Sequence, residues 1–200
     1  MSKRELILQS ASILFIEKGY KNLTMEEIAQ YIGITKKTLY NHFPGKFALM
    51  KESIEFKLEK ILVELKKIAS DRSDHFTMKL KKLIHFAAHS FSTEFPLSKI
   101  SAESTVIQNI IFPAISTHII QITNTVLKEG VQRGILRNDM TDETPPYIFL
   151  GIIETFISLE SRYGIRQSTD DLFIFIEKVL LEGVLSDKGR DEYRQLGDSL

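Results

Sequence analysis

The sequence predicts an all-α fold. Apolar residues recur at helical spacing almost throughout, no stretch alternates convincingly enough to be a strand, and helix starts and stops are marked by capping boxes and glycines. In more detail, the pattern predicts an N-terminal three-helix helix-turn-helix domain over residues 1–46, followed by a larger helical domain over residues 47–200.

The first helix is expected over 3–18. Ser2 and Glu5 have capping-box spacing, Ile7, Ala11, Leu14 and Phe15 form one stripe, and Gly19 suits the stop. A second helix should follow Thr24, which pairs with Glu27 as another box, with Ile28, Ala29 and Ile32 inward and Gly33 as its breaker. Thr35 caps a third helix carrying Leu39 inward, and Pro44 and Gly45 end the unit. A long fourth helix starts near Lys46 and shows Phe47, Met50, Ile54, Ile61, Leu65 and Ile68 on one face.

After a polar break at Asp71 to Asp74, a helix is expected over 75–92, a shorter one over 96–109, and another over 113–131. Residues 134–144 read as a loop, and the last two helices as 145–163 and 170–185. The tail, 186–200, is polar and is expected to be partly disordered.

Bulk properties narrow the function classes. The chain has 200 residues, 43% of them hydrophobic, which suffices for a real core. It has no cysteine, so neither disulfides nor thiolate metal sites are available. No apolar leader follows Met1 to Arg4, and the longest apolar run, 147–153, is too short to span a bilayer. The reading is a cytoplasmic protein without membrane partners. Net charge is zero, but residues 1–51 hold eight Lys/Arg against four Asp/Glu, and Ile28 to Lys51 contains no acid at all. A local basic patch on a neutral chain is the electrostatic footprint of a nucleic-acid contact, although a solvated face can look the same.

The informative stretch is Thr24 to Lys46, TMEEIAQYIGITKKTLYNHFPGK. Two short helices joined by a tight turn with a central glycine make a helix-turn-helix, and Gly33 can take the positive φ that the turn needs. The second of these helices would lie in a major groove, its N-terminal residues toward base edges. No acid stands in its first turn, where carboxylate would repel phosphate; Glu26 and Glu27 sit on the preceding helix.

The residues Thr24, Ile28, Ala29, Gly33, Ile34, Thr38, Leu39, Tyr40, Phe43, Lys46 and Leu49 resemble the pattern of the tetracycline-repressor-like (TetR) family of regulators. Lys37 departs from it, standing where small residues are common, and Gly45 replaces the usual polar cap before Lys46. The resemblance implies a DNA-binding regulator, probing double-stranded operator DNA with Thr24, Thr35, Lys36, Lys37, Thr38, Tyr40, Asn41, His42 and Lys46. Lys36, Lys37 and Thr38 would face bases and nearby phosphates. Tyr40, Asn41 and His42 would hold backbone phosphates or reach one base. Lys46 and Thr24 would meet phosphate at helix N-termini.

The two helices at 145–163 and 170–185 are apolar nearly all round, so each needs cover on two sides. A second subunit supplies it in the resembled family, which points to Ile148, Ile152, Phe156, Leu159, Phe173, Ile176 and Leu180 as a homodimer interface; a central helix buried within a monomer is the alternative. Ten of the thirteen phenylalanines follow residue 52. With a few polar handles they suggest an apolar pocket for a small-molecule effector, lined by Phe56, Phe86, Phe91, Phe112, Tyr147, His89 and His118. Each of these is also an ordinary core or surface residue at helical spacing.

His85 and His89 have i, i+4 spacing, which can hold a metal, but the glutamate of the zinc-enzyme motif is replaced by Phe86. No nucleophile elbow, P-loop or dinucleotide fingerprint occurs. The expectation is therefore a non-enzymatic, ligand-responsive repressor with no metal and no cofactor, reading a palindrome as a dimer. Two competing classes stand beside it: an enzyme using His85, His89 and Glu103, and a helical adaptor that binds protein through Thr24 to Phe43.

Overall fold

The computed structural model describes residues 2–72, 75–90, 112–151, 177–179 and 181–196. Its named α-helices are α1 (Lys3–Lys18), α2 (Met25–Ile32), α3 (Lys36–His42), α4 (Lys46–Ser70), α5 (Phe76–His89), α6 (Phe112–Gln132) and α7 (Asp187–Leu196). Residues 144–151, 177–179 and 181–184 are also helical. The helix expected over 96–109, and most of those expected over 145–163 and 170–185, lie outside the described residues.

Local chemistry sets the boundaries of the first three helices. The Ser2 side chain accepts from the Glu5 amide while Glu5 accepts from the Ser2 amide, closing the box that starts α1. Thr24 and Glu27 do the same at α2. Gly33 ends α2 in the left-handed region at φ 76, and its N–H returns to the Ala29 and Gln30 carbonyls. A Cβ-bearing residue would be strained there, so this one glycine sets the sharp turn between α2 and α3.

Among the described residues, the buried apolar side chains form two clusters. The first gathers Ile7, Leu14 and Phe15 of α1, Ile28 and Ala29 of α2, Leu39 and Phe43 of α3 and its cap, then Leu49 to Leu65 of α4, and ends on Ile119 of α6. The second joins Ala69, Phe76, Val126, Leu127, Ile135, Leu136, Leu181 and Leu185. Leu83 and Ile122 pack against both, so α4, α5 and α6 link the two halves. Fully burying one such side chain stabilises by about 1.5–3 kcal/mol, enough to hold α3 firmly although it has only seven residues.

Two expectations need correction. Phe47 was expected on the inward stripe of α4 but is exposed, because α4 enters the buried cluster only with Leu49 and Met50. The polar tail was expected to be partly disordered, yet residues 187–196 form α7. Its polar residues make contacts rather than face solvent alone. Glu192 accepts from both the amide and the hydroxyl of Thr77 on α5, and Gly189 packs on the Ile135 carbonyl. The loop expected over 134–144 also holds structure. Leu136 bridges to Leu185, Ser186 N–H donates to the Ile135 carbonyl at 2.9 Å, and Asn138–Thr141 is a 3-10 turn.

Candidate nucleic-acid interface

The surface around α3 is built on a rigid base. Leu39 and Phe43 are fully buried, so the opposite face of α3 must point outward. That face carries Lys36, Lys37, Tyr40 and Asn41, all exposed, with Thr38 and His42 half-buried beside them. Thr35 caps the helix: its hydroxyl accepts from the Thr38 amide at 3.1 Å and shares a hydrogen bond with the Thr38 hydroxyl at 2.8 Å. The first turn contains no acid of its own, so its amides and Lys37 form a positive end, with Lys36 beside them paired to Glu26 of α2.

Neighbouring elements brace this surface. The Arg4 guanidinium lies 5.0 Å from the centre of the Phe43 ring and pairs with Glu52 of α4. Lys36 pairs with Glu26 of α2, and its ammonium stands 5.8 Å from the Tyr40 ring centre. Lys46 is placed differently from what its helix-start position suggests. Its ammonium donates to the Tyr20 and Leu23 carbonyls, at 2.9 and 2.7 Å, and sits 4.3 Å from the Tyr20 ring centre. The Thr24 hydroxyl is likewise engaged, donating to Glu27 at 2.8 Å. That hydroxyl and the Thr24 amide hold the Glu27 carboxyl below its ordinary range, helped by Lys18 and Lys46.

Comparison with known proteins bears on the same stretch. Residues 7–52 match the family described as bacterial regulatory proteins, tetR family. This chain is a TetR-like DNA-binding regulator. Over almost its whole length the regulator is similar to the nucleoid occlusion factor SlmA of Shewanella sediminis (strain HAW-EB3), with 27% identity across 91% of this chain and 96% of that one. It has the fold of a TetR-family transcriptional regulator from Agrobacterium tumefaciens, at TM-score 0.71, 20% identity, and coverage of 92% and 98%. A transcriptional regulator from Cytophaga hutchinsonii ATCC 33406 is similar at TM-score 0.73 and 21% identity, covering 92% of this chain and 99% of that one.

In the regulator's larger half, the residues expected to line a pocket are partly gathered. Phe56 of α4 and Phe86 of α5 are half-buried against the same apolar cluster. His118 is half-buried on α6, whereas His89 and Tyr147 are exposed. Phe91 and the Phe112 side chain lie outside the described residues. Of the expected dimer residues, Ile148 is 57% exposed, beside Tyr147 at 60%, and Val179 on the other segment is 54% exposed. Ile152, Phe156, Leu159, Phe173, Ile176 and Leu180 lie outside the described residues.

Several polar contacts were not foreseen from sequence. Buried Lys79 donates to Glu129 at 2.7 and 2.9 Å. His85, considered above as half of a metal pair, hydrogen-bonds through Nε2 to Glu177 at 2.8 Å, and Glu177 also accepts from the Tyr193 hydroxyl. A lysine on a helix carries no sign of which distant acid it will meet. Among the described residues, no helix is long and apolar enough to cross a membrane.

Proposed function

We propose that the chain is a ligand-responsive transcriptional repressor that binds a palindromic operator as a homodimer and is released by a small apolar or aromatic effector. The observation that carries the DNA part is the capped, acid-free start of α3, held outward by Leu39 and Phe43 and presenting Lys36 and Lys37. Lysines so placed can donate to guanine O6 and N7 or to phosphate. The exposed apolar side chains of Tyr147, Ile148 and Val179 support a second subunit on that surface. Two subunits would set their α3 helices about one helical repeat apart, roughly 34–36 Å. An effector bound between α4, α5 and α6 would tilt α4 and change that separation.

Gel shift of the full chain against its gene's own upstream region tests the DNA reading, and footprinting tests the palindrome: two protected half-sites are expected, and one unpaired half-site at full affinity contradicts the dimer. Sedimentation gives the oligomeric state directly. Phe156→Asp would place a charge in a dry interface and split the dimer.

The similarity to a nucleoid occlusion factor over 91% of this chain supports a second reading, a role in nucleoid occlusion rather than control of one promoter. Mapping bound sites across the chromosome separates the two: sites clustered at one or a few promoters favour the repressor, and widely dispersed sites favour nucleoid occlusion.

A further inference from the structure

Four acids accompany the basic N-terminal segment, and three of them stay clear of α3. Glu5 and Glu27 are spent on the capping boxes of their own helices, and Glu17 is exposed on α1. Glu26 crosses from α2 and pairs with Lys36, the first residue of α3. Both side chains are about half exposed, 57% and 52%, and the lysine is also positioned near the Tyr40 ring.

We propose that Glu26 is a specificity-determining residue that limits sequence-independent DNA affinity by neutralising Lys36. This rests on the DNA-binding reading of α3. Sequence-independent binding comes from cations that replace counterions along the phosphate backbone. A lysine already matched by a carboxylate releases no counterion when it nears a phosphate. If it leaves the carboxylate, Glu26 is left unpaired beside a polyanion. Exchange is worthwhile only where Lys36 gains a directed partner, such as the O6 and N7 edge of guanine. Glu26 thus removes about one cation from indiscriminate binding while keeping Lys36 at hand for a base. Lys37 is exposed one residue further along.

The test uses the full-length chain and a mixed random-sequence duplex over a series of salt concentrations. Glu26→Gln keeps side-chain size on α2 and removes only the charge. Its plot of log affinity against log salt should steepen by about 0.9, so that the ratio of variant to wild-type affinity grows about eightfold for a tenfold fall in salt. In a Lys36→Ala background the same change should add no such steepening. An unchanged slope in Glu26→Gln overturns the proposal. Equal steepening with and without Lys36 also overturns it, because the acid would then act only as a distant charge. Failure of the wild type to bind any duplex, its gene's upstream region included, would instead remove the DNA-binding reading on which the proposal stands.

Discussion

The Lys46 ammonium lies 2.7 Å from the carbonyl oxygen of Leu23, so the first residue of α4 is tied to the chain just before α2. The contact fixes the helix-turn-helix to α4 through a charge-assisted bond, repeated at the Tyr20 carbonyl. Lys46→Met keeps the stem over the Tyr20 ring but loses both bonds. It should cost about 1–2 kcal/mol in denaturant unfolding, since such bonds to a charged group contribute a net 1.5–3 kcal/mol and this one is partly solvated. It should also weaken binding to every duplex by one common factor. A variant as stable as wild type would show that the contact contributes nothing.

The Glu27 cap predicts a pH effect of definite sign. Its carboxyl titrates below the ordinary range in the folded chain, chiefly because the Thr24 hydroxyl and amide donate to it. The folded state therefore gains from ionised Glu27 at every pH above the unfolded-state value, and the gain is lost as pH falls through the lowered folded value. The stability gap between wild type and Glu27→Gln should be constant near neutrality and close on acidification. Urea unfolding at a series of pH values measures it, and a gap that widens in acid contradicts the assignment.

Lys79 is only 1% exposed, with Glu129 as its carboxylate partner and the Ala69 carbonyl at 3.3 Å. Lys79→Met leaves Glu129 with one of its two cations, since Arg133 still pairs with it at 2.8 Å. The loss should fall at the low end for breaking a buried pair, about 3 kcal/mol. Changing Glu129→Leu as well should recover part of it, because neither ion of the Lys79–Glu129 pair is then desolvated, although Arg133, about a third exposed, loses its carboxylate to solvent. Thermal unfolding of the two single variants and the double variant decides; a double variant weaker than both singles would show that the pair orders this region beyond its charge.

Gly189 of α7 approaches the chain so closely that a Cβ would stand 2.2 Å from the Ile135 carbonyl oxygen and 3.0 Å from Leu185. Backbone on the other side cannot swing away as a side chain can. Gly189→Ala should push α7 outward at a cost of about 1–3 kcal/mol, and limited proteolysis should then cut within 187–196 first. Resistance equal to wild type would mean that α7 shifts without loss.

The helix-turn-helix was legible because its signals are local. Ser2, Thr24, Gly33 and Thr35 act on residues three or four positions away, and their spacing alone fixes α1, α2 and the start of α3. Phe47 misled because helical phase says which face a residue shares, but not where along a helix the neighbouring elements begin. The tail misled for a related reason. In 187–196 polarity suggested solvent, yet the partners of Glu192 and Gly189 are 115 and 54 positions earlier, beyond any sequence window. The same distance hid Lys79 with Glu129 and His85 with Glu177. Glu26 was noted as an acid on the helix before α3, but only the turn at Gly33 brings it to Lys36.

The Thr77–Glu192 contact also orders events in time. All the residues that seat α3, from Ile7 to Leu65, have been made once α4 is complete, with Ile119 added later. The start of α5 cannot gain its Glu192 partner until the chain is nearly finished. At about 5–20 residues per second, the ribosome separates these two moments by roughly 6–24 seconds. A nascent chain can therefore hold a formed α3 while the seam between α5 and α7 is still open, and stalled or truncated products would keep the helix-turn-helix without its closed far end.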